Sequence, residues 1–253
     1  MVNKRNPFVG RIGSGVIVIA LATAAHAFQF APLRTVLKSS GANTKQTYEI
    51  KNTKGTPLPV QISVSHWTFD EAGVEIDGEL ADDLFLVYPA EVLVPPGGSS
   101  TVRLRWVGGP ALETTKVFRI VAEELVLPMK VKGDVAEPRG RIQTKLRYKG
   151  MIEVVKHGGE PDLKFLSGDL DEEGGLSLLF ENLGDGLGTP DVSRLTMTDS
   201  RGKSLDIPVD KLGQIVGAIP PGARRSYRIK DAEDGQLAPP VAVSVDLNGG
   251  DVR

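Results

Sequence analysis

The sequence predicts an all-β protein built from two β-sandwich domains, and three observations carry that prediction. Apolar and polar residues alternate with a period of two in run after run, which sets one face of each segment on a core and the other in water. Glycine- and proline-rich turn signals cut these runs into short strands, the pattern of an antiparallel sandwich. No long stretch shows the 3.6-residue periodicity of an amphipathic helix.

The elements follow in order. "TYEIKN" alternates Tyr48 and Ile50 with polar neighbours, "PVQISVSHW" alternates Val60, Ile62 and Val64 with Gln61, Ser63 and Ser65, and "TVRLRWV" alternates Val102, Leu104 and Trp106 with Arg103 and Arg105. Turn signals at 54–57, 71–73, 95–98 and 107–110 separate the runs. In "TKLRYKG" the cations Lys145 and Arg147 share one face, and Leu146 and Tyr148 the other. A buried central strand rarely carries two cations on one face, so this strand is expected at an exposed position. The rhythm then pauses at the polar, glycine-rich "KHGGEPD" and restarts in "GLSLLFEN", "SRLTMTDSRGKSL", "PPGARRSYRI" and "PVAVSVDL". Two domains are therefore expected, over 28–149 and 150–253. "VDKLGQIVG" has room for a short helical turn.

Bulk properties narrow the function. The chain has 253 residues, 40% of them hydrophobic, enough for two packed cores. A formal net charge of −2 supplies no field that would recommend nucleic acid as a partner. Cysteine is absent, which excludes disulfides and thiolate metal sites without fixing the compartment. The first 27 residues do fix it. Lys4, Arg5 and Arg11 precede the apolar run "VIVIALATAA", which is too short to span a bilayer, and "AHA" supplies small residues at Ala25 and Ala27. This is a secretory signal over 1–27, with the mature chain starting near Phe28 and no later segment apolar enough for membrane insertion.

Candidate chemistry is sparse. His66 and His157 of the mature chain lack neighbours with metal-ligand spacing, and no GxSxG elbow singles out a nucleophilic serine. The acidic run Asp169, Asp171, Glu172 and Glu173 lacks the spacing of a calcium loop and reads as a solvated hairpin. "GDGLG" at 184–188 lacks the context and lysine of a phosphate loop and reads as a hairpin turn. An enzyme is not expected, nor a metal, a nucleotide or any other cofactor.

Several segments together resemble a known family. "APLRTVL", "YEIKNTKGTPLPVQISVSHW", "LFLVYPAEVLVPPGGSSTVRLRW", "KVFRIVAEELVLP" and "RIQTKLRYKG" are similar to the periplasmic pilus (fimbrial) assembly chaperones of Gram-negative bacteria, with fainter similarity in "LFENLGDG" and "GQIVGAIPPGARRSYRI". "RYKGMIEVVKHGGEPDLKF" resembles the archaic or sigma-type branch. The resemblance implies two immunoglobulin-like sandwiches in an L-shaped arrangement. It implies a periplasmic protein that stabilises a pilus subunit by donor-strand complementation and delivers it to an outer-membrane usher.

The resemblance also implies roles for residues. Two cations grip the C-terminal carboxylate of the subunit: Arg34 on the first strand and Arg147 on the last strand of the first domain, with Lys145 as the alternative to Arg147. The family more often carries lysine at the second position, and arginine retains the chemistry because it pairs with a carboxylate bidentately. The strand around 140–148 is expected to enter the subunit's groove with Ile142, Thr144 and Leu146, beside Gly140. Only Ile142 and Leu146 are sizeable, so either the donated strand begins earlier, with Leu127, Met129 or Val131, or the subunit is held loosely. Edge-strand physics adds an expectation of self-association. The competing reading is a secreted two-domain sandwich acting as an adhesin or a carbohydrate- or protein-binding module.

Overall fold

The computed structural model describes residues 28–125, 145–232, 237 and 240–248. The expected signal segment, and Ile142 and Thr144 of the expected donor strand, lie outside them. Strands supply nearly all the regular structure of the described residues, and the single helix among them, α1 (Val209–Leu212), falls in the segment expected to make a helical turn.

The first sandwich packs two sheets. One has β1 (Phe28–Ala31), β3 (Lys45–Asn52), β8 (Ser99–Trp106) and β6 (Phe85–Tyr88) in the order β1-β3-β8-β6. The other has β2 (Arg34–Lys38), β10 (Arg147–Val155), β9 (Lys116–Glu124), β4 (Leu58–Phe69) and β5 (Glu75–Leu80) in the order β2-β10-β9-β4-β5, with β7 (Glu91–Val94) also paired to β4. The alternation read from sequence is what fills the core. Tyr48, Ile50, Val60, Ile62, Val64, Val102, Leu104 and Trp106 are all buried between the sheets, while Arg103 and Arg105 face out. Burying side chains of this size is worth about 1.5–3 kcal/mol each.

The second sandwich is smaller. β11 (Leu163–Leu170), β12 (Leu176–Asn182) and β15 (Arg224–Ile229) form one sheet; β14 (Ser204–Asp206), β13 (Val192–Asp199) and β16 (Val241–Leu247) form the other. Leu176, Leu178, Phe180, Leu195, Met197, Tyr227 and Ile229 make its separate core.

Three expectations change. The division at 149/150 falls inside β10, which pairs without interruption with β9 from Arg147 to Val154 and with β2 from Met151 to Val155. Its hydrogen bonds assign 147–155 to the first sandwich, and the change of sandwich follows in the polar stretch after Val155. The β2–β10 pair is parallel, an exception to the antiparallel pattern expected of these strands. "GDGLG" is not a hairpin turn, because β12 and β13 lie in different sheets and the loop between them crosses the sandwich, with Gly188 bridging to Ile219. The acidic run does form the expected hairpin: Asp171 Oδ1 accepts from the backbone N–H of Glu173 and Gly175 at the turn between β11 and β12.

Candidate functional site

β10 is the strand that sequence singled out, and the topology leaves one side of its first residues open. β1 pairs with β3 in one sheet, the chain then crosses at the cis Ala31–Pro32 bond, and β2 joins the other sheet beside β10. That pairing begins only at Met151, opposite Arg34. From Arg147 to Lys149, β10 therefore has β9 on one side and, among the described residues, no strand on the other. Unpaired backbone donors and acceptors along such an edge are a template for another strand. Leu33 and Val36, half exposed, lie beside it on the β2 side.

The strand's two faces differ as predicted. Tyr148, Gly150, Ile152 and Val154 face the core. The Tyr148 ring meets Phe28 edge-on at 4.7 Å, and its hydroxyl donates to the Phe28 carbonyl. Leu146, expected in a partner's groove, is half buried and packs against this molecule's own core. Its carbonyl accepts from Glu124 N at 3.0 Å, so it is already tied to β9.

The outward face holds a row of cations: Lys145, Arg147 and Lys149. Arg34 continues the row from β2, two residues of register beyond Lys149. At about 3.3 Å per residue, Arg34 and Arg147 are offset along the strands by roughly 13 Å. The structure therefore places the two expected carboxylate ligands on one face without bringing them into contact. Lys149, which sequence reasoning passed over, stands between them; its signal was the same i, i+2 spacing that linked Lys145 to Arg147.

Each cation has an acidic partner. Arg34, with a side chain 69% exposed, lies 3.6 Å from Glu153. Lys145 pairs with Glu123, and Arg147 Nε lies 3.5 Å from the same carboxylate. Two further acids come from β5. A register shift in β4 between Ser65 and Trp67 lets the β4–β5 hairpin curl over the sheet. Gly78 permits the close approach, since a Cβ there would stand 2.1 Å from the His66 carbonyl oxygen. Glu75 receives two hydrogen bonds from Arg119, at 3.0 and 2.5 Å, and Arg119 stacks on Trp67 at 4.1 Å. Burial, the largest single influence, pushes the Glu75 carboxyl up, but Arg119, Trp67 and Lys149 together outweigh it and hold the group below the usual carboxylate range. Asp77 accepts from Lys149 Nζ at 3.0 Å and lies 3.7 Å from Arg147 Nη1. The Lys149 hydrogen bond and charge, followed by the Arg147 charge, hold Asp77 below its usual range. What this face offers is therefore an open strand edge beside a row of cations, of whose counter-ions Asp77 is exposed and exchangeable.

His66 and His157 are exposed, and no cluster of three potential metal ligands occurs among the described residues. No helix among those residues is long and apolar enough to cross a membrane.

No protein-family model and no curated protein matches the chain. Solved structures do resemble it. A chain of the CsuC–CsuE chaperone–tip adhesion subunit pre-assembly complex, from the archaic chaperone–usher Csu pili of Acinetobacter baumannii, aligns with TM-score 0.52 and 16% identity over 87% of this chain and 96% of that one. A chain of the chaperone–tip adhesin complex of CFA/I fimbriae biogenesis aligns with TM-score 0.51 and 14% identity over 87% of this chain and 98% of that one. The class 5 fimbriae chaperone CfaA aligns with TM-score 0.50 and 14% identity over 90% of this chain and 94% of that one. The alignments run through both sandwiches, and the chain has the two-domain β-sandwich fold of fimbrial chaperones.

Proposed function

We propose that this protein is a non-enzymatic periplasmic chaperone of the pilus-assembly family, in its archaic or sigma-type branch. It binds an incomplete pilus subunit by donor-strand complementation and delivers it to an outer-membrane usher. The observation that carries the reading is the open edge of β10 between Arg147 and Lys149, flanked by outward cations. An incomplete sandwich needs backbone hydrogen bonds along its missing strand, and an edge of this kind supplies them. Arg34 and Arg147, with Lys145 beside them, would hold the subunit's C-terminal carboxylate and so fix the register of the added strand. Ile142 and Thr144 would extend the donated strand, whereas Leu146, packed on its own core, adds less than its size implies. The chaperone function needs no cofactor, because completion of the subunit's fold by a later strand drives release.

The test is co-purification of a pilin-like subunit expressed with the chaperone. Arg34→Ala and Arg147→Ala each abolish recovery of the complex while the chaperone stays folded, since exposed side chains of this kind contribute little to stability. Normal recovery with both variants would overturn the carboxylate clamp. Glycan binding by the isolated protein, with no subunit captured, would favour the adhesin reading instead.

A further inference from the structure

The cationic row of β10 already holds a carboxylate, and that carboxylate belongs to this chain. Asp77 Oδ1 accepts from Lys149 Nζ at 3.0 Å, and Oδ2 lies 3.7 Å from Arg147 Nη1. One carboxylate between two cations is the arrangement that a partner's chain terminus would make here. Its neighbour on β5 is different. Glu75 is clamped by two hydrogen bonds from the largely buried Arg119, which is itself stacked on Trp67. That carboxylate is built into the fold. The Asp77 side chain is 70% exposed, and its only contacts of this kind among the described residues are with Arg147 and Lys149. Displacing it breaks no other contact.

Position strengthens the case. Lys149 lies two residues from Arg147 along β10 and two residues of register from Arg34. It is the cation nearest to both of the side chains expected to grip a terminal carboxylate. We infer that Asp77 is an internal stand-in for the partner's carboxylate: it occupies Arg147 and Lys149 in the free protein and yields them to the incoming chain terminus. Lys149 is then a third subunit-binding cation, and Asp77 a brake that sets affinity. The stand-in keeps the neighbouring cations from repelling one another and from seizing unrelated anions, so only a carboxylate presented together with a pairing strand displaces it. The inference rests on the carboxylate-binding reading above.

The two ideas separate in one experiment. Binding of a synthetic peptide of alternating apolar residues ending in a free carboxylate is measured against the same peptide ending in an amide. The proteins are wild type, Asp77→Asn and Lys149→Met. Exposed ion pairs of this kind are worth up to about fivefold in an equilibrium constant. Asp77→Asn is expected to bind the free-acid peptide two- to fivefold tighter than wild type and the amide unchanged. Lys149→Met is expected to lose most of the preference for the free acid. If wild type prefers the free acid but Asp77→Asn binds it no more tightly, the stand-in is refuted and the carboxylate clamp survives. If wild type does not distinguish acid from amide, the clamp itself is refuted and the stand-in falls with it.

Discussion

Two buried asparagines do the same job in the two sandwiches. Asn52, at the end of β3, donates from Nδ2 to the carbonyls of Thr56, Val94 and Pro95, and its Oδ1 accepts from Lys54 N. Asn182, at the end of β12, donates to the carbonyls of Gly186 and Ile219 and accepts from the N–H of Asp162 and Gly184. Each satisfies backbone groups where a strand runs into a loop. Replacing Asn52 by alanine strands several of them, and buried unsatisfied groups cost about 1–3 kcal/mol each. Asn52→Ala is expected to lower the unfolding free energy by about 2–4 kcal/mol in urea denaturation. Tyr48 gives a second prediction at this scale. Burial pushes its phenol up to about 12, against a smaller opposing effect of its hydrogen bond to Thr35. An unfolded tyrosine ionises near pH 10. The unfolded chain therefore releases the proton first, and the stabilisation, complete below about pH 10, is lost as pH rises to about 12. Two pH units correspond to about 3 kcal/mol. Tyr48→Phe is expected to flatten the alkaline limb of the stability–pH curve, which denaturation at stepped pH reads directly.

At the scale of elements, the β4–β5 hairpin links the two sandwiches. Its turn lies against β15, where Ser226 N donates to the Gly73 carbonyl at 2.8 Å. Arg225 of the same strand stacks over Trp67 and Phe69 of β4, with its guanidinium 5.4 and 5.6 Å from the ring centres. Gly73 has φ of +74°, and a Cβ there would stand 2.5 Å from Ser226 N. Gly73→Ala is thus strained in its own backbone and drives the turn off β15. The variant is expected to lose about 1–3 kcal/mol of stability and to lose hydrogen-exchange protection at Ser226. The two strands of this hairpin differed in how plainly the sequence showed them. Val60, Ile62 and Val64 alternate strictly with polar residues, so β4 was legible from its period. β5 was not, because its face is charged: Glu75 and Asp77 point at Arg119, Lys149 and Arg147 rather than at an apolar core. The same limit governed the site. Alternation exposed Lys145 and Arg147, and resemblance added Arg34. The β5 acids that face Arg147 and Lys149 lie some seventy residues away in sequence, and a single sequence carries no local sign of that pairing. The 149/150 division cuts β10, whereas the break read in the sequence, "KHGGEPD" at 156–162, lies just after that strand ends at Val155.

At the scale of the whole molecule, two contacts among the described residues join the two cores. The hairpin on β15 is one. The other centres on Asp185, whose side chain pairs with Lys156 and accepts from Glu160 N at 2.9 Å, while its carbonyl accepts from the buried Thr115 N at 2.9 Å. Thr115 Oγ1 in turn accepts from Lys156 N at 3.1 Å, so the linker after β10 is tied to both sandwiches at once. The Lys156 hydrogen bond, followed by that from the Glu160 N–H, holds the Asp185 carboxyl below its usual range. The stabilisation from this carboxylate is present above the ordinary aspartate pKa and is lost as pH falls through the lowered one, while the Asp185 carbonyl keeps its bond from Thr115 N throughout. Because the hydrophobic clusters are separate, weakening the Asp185 contact leaves each core nearly as stable as before and acts on the relation between them. Asp185→Ala keeps the backbone bond to Thr115 and is expected to leave the main thermal transition close to that of wild type, because a solvent-accessible ion pair contributes little. The same variant broadens the interdomain distance distribution in small-angle scattering. The double variant Gly73→Ala/Asp185→Ala broadens it further than either alone, because the contacts share no residue and their effects add. On the carboxylate-binding reading proposed above, the binding face lies on the first sandwich close to the hairpin that touches the second, so releasing that hairpin weakens subunit binding. The double variant should therefore recover less subunit complex than Asp185→Ala alone, and equal recovery would mean that the second sandwich takes no part in holding the site.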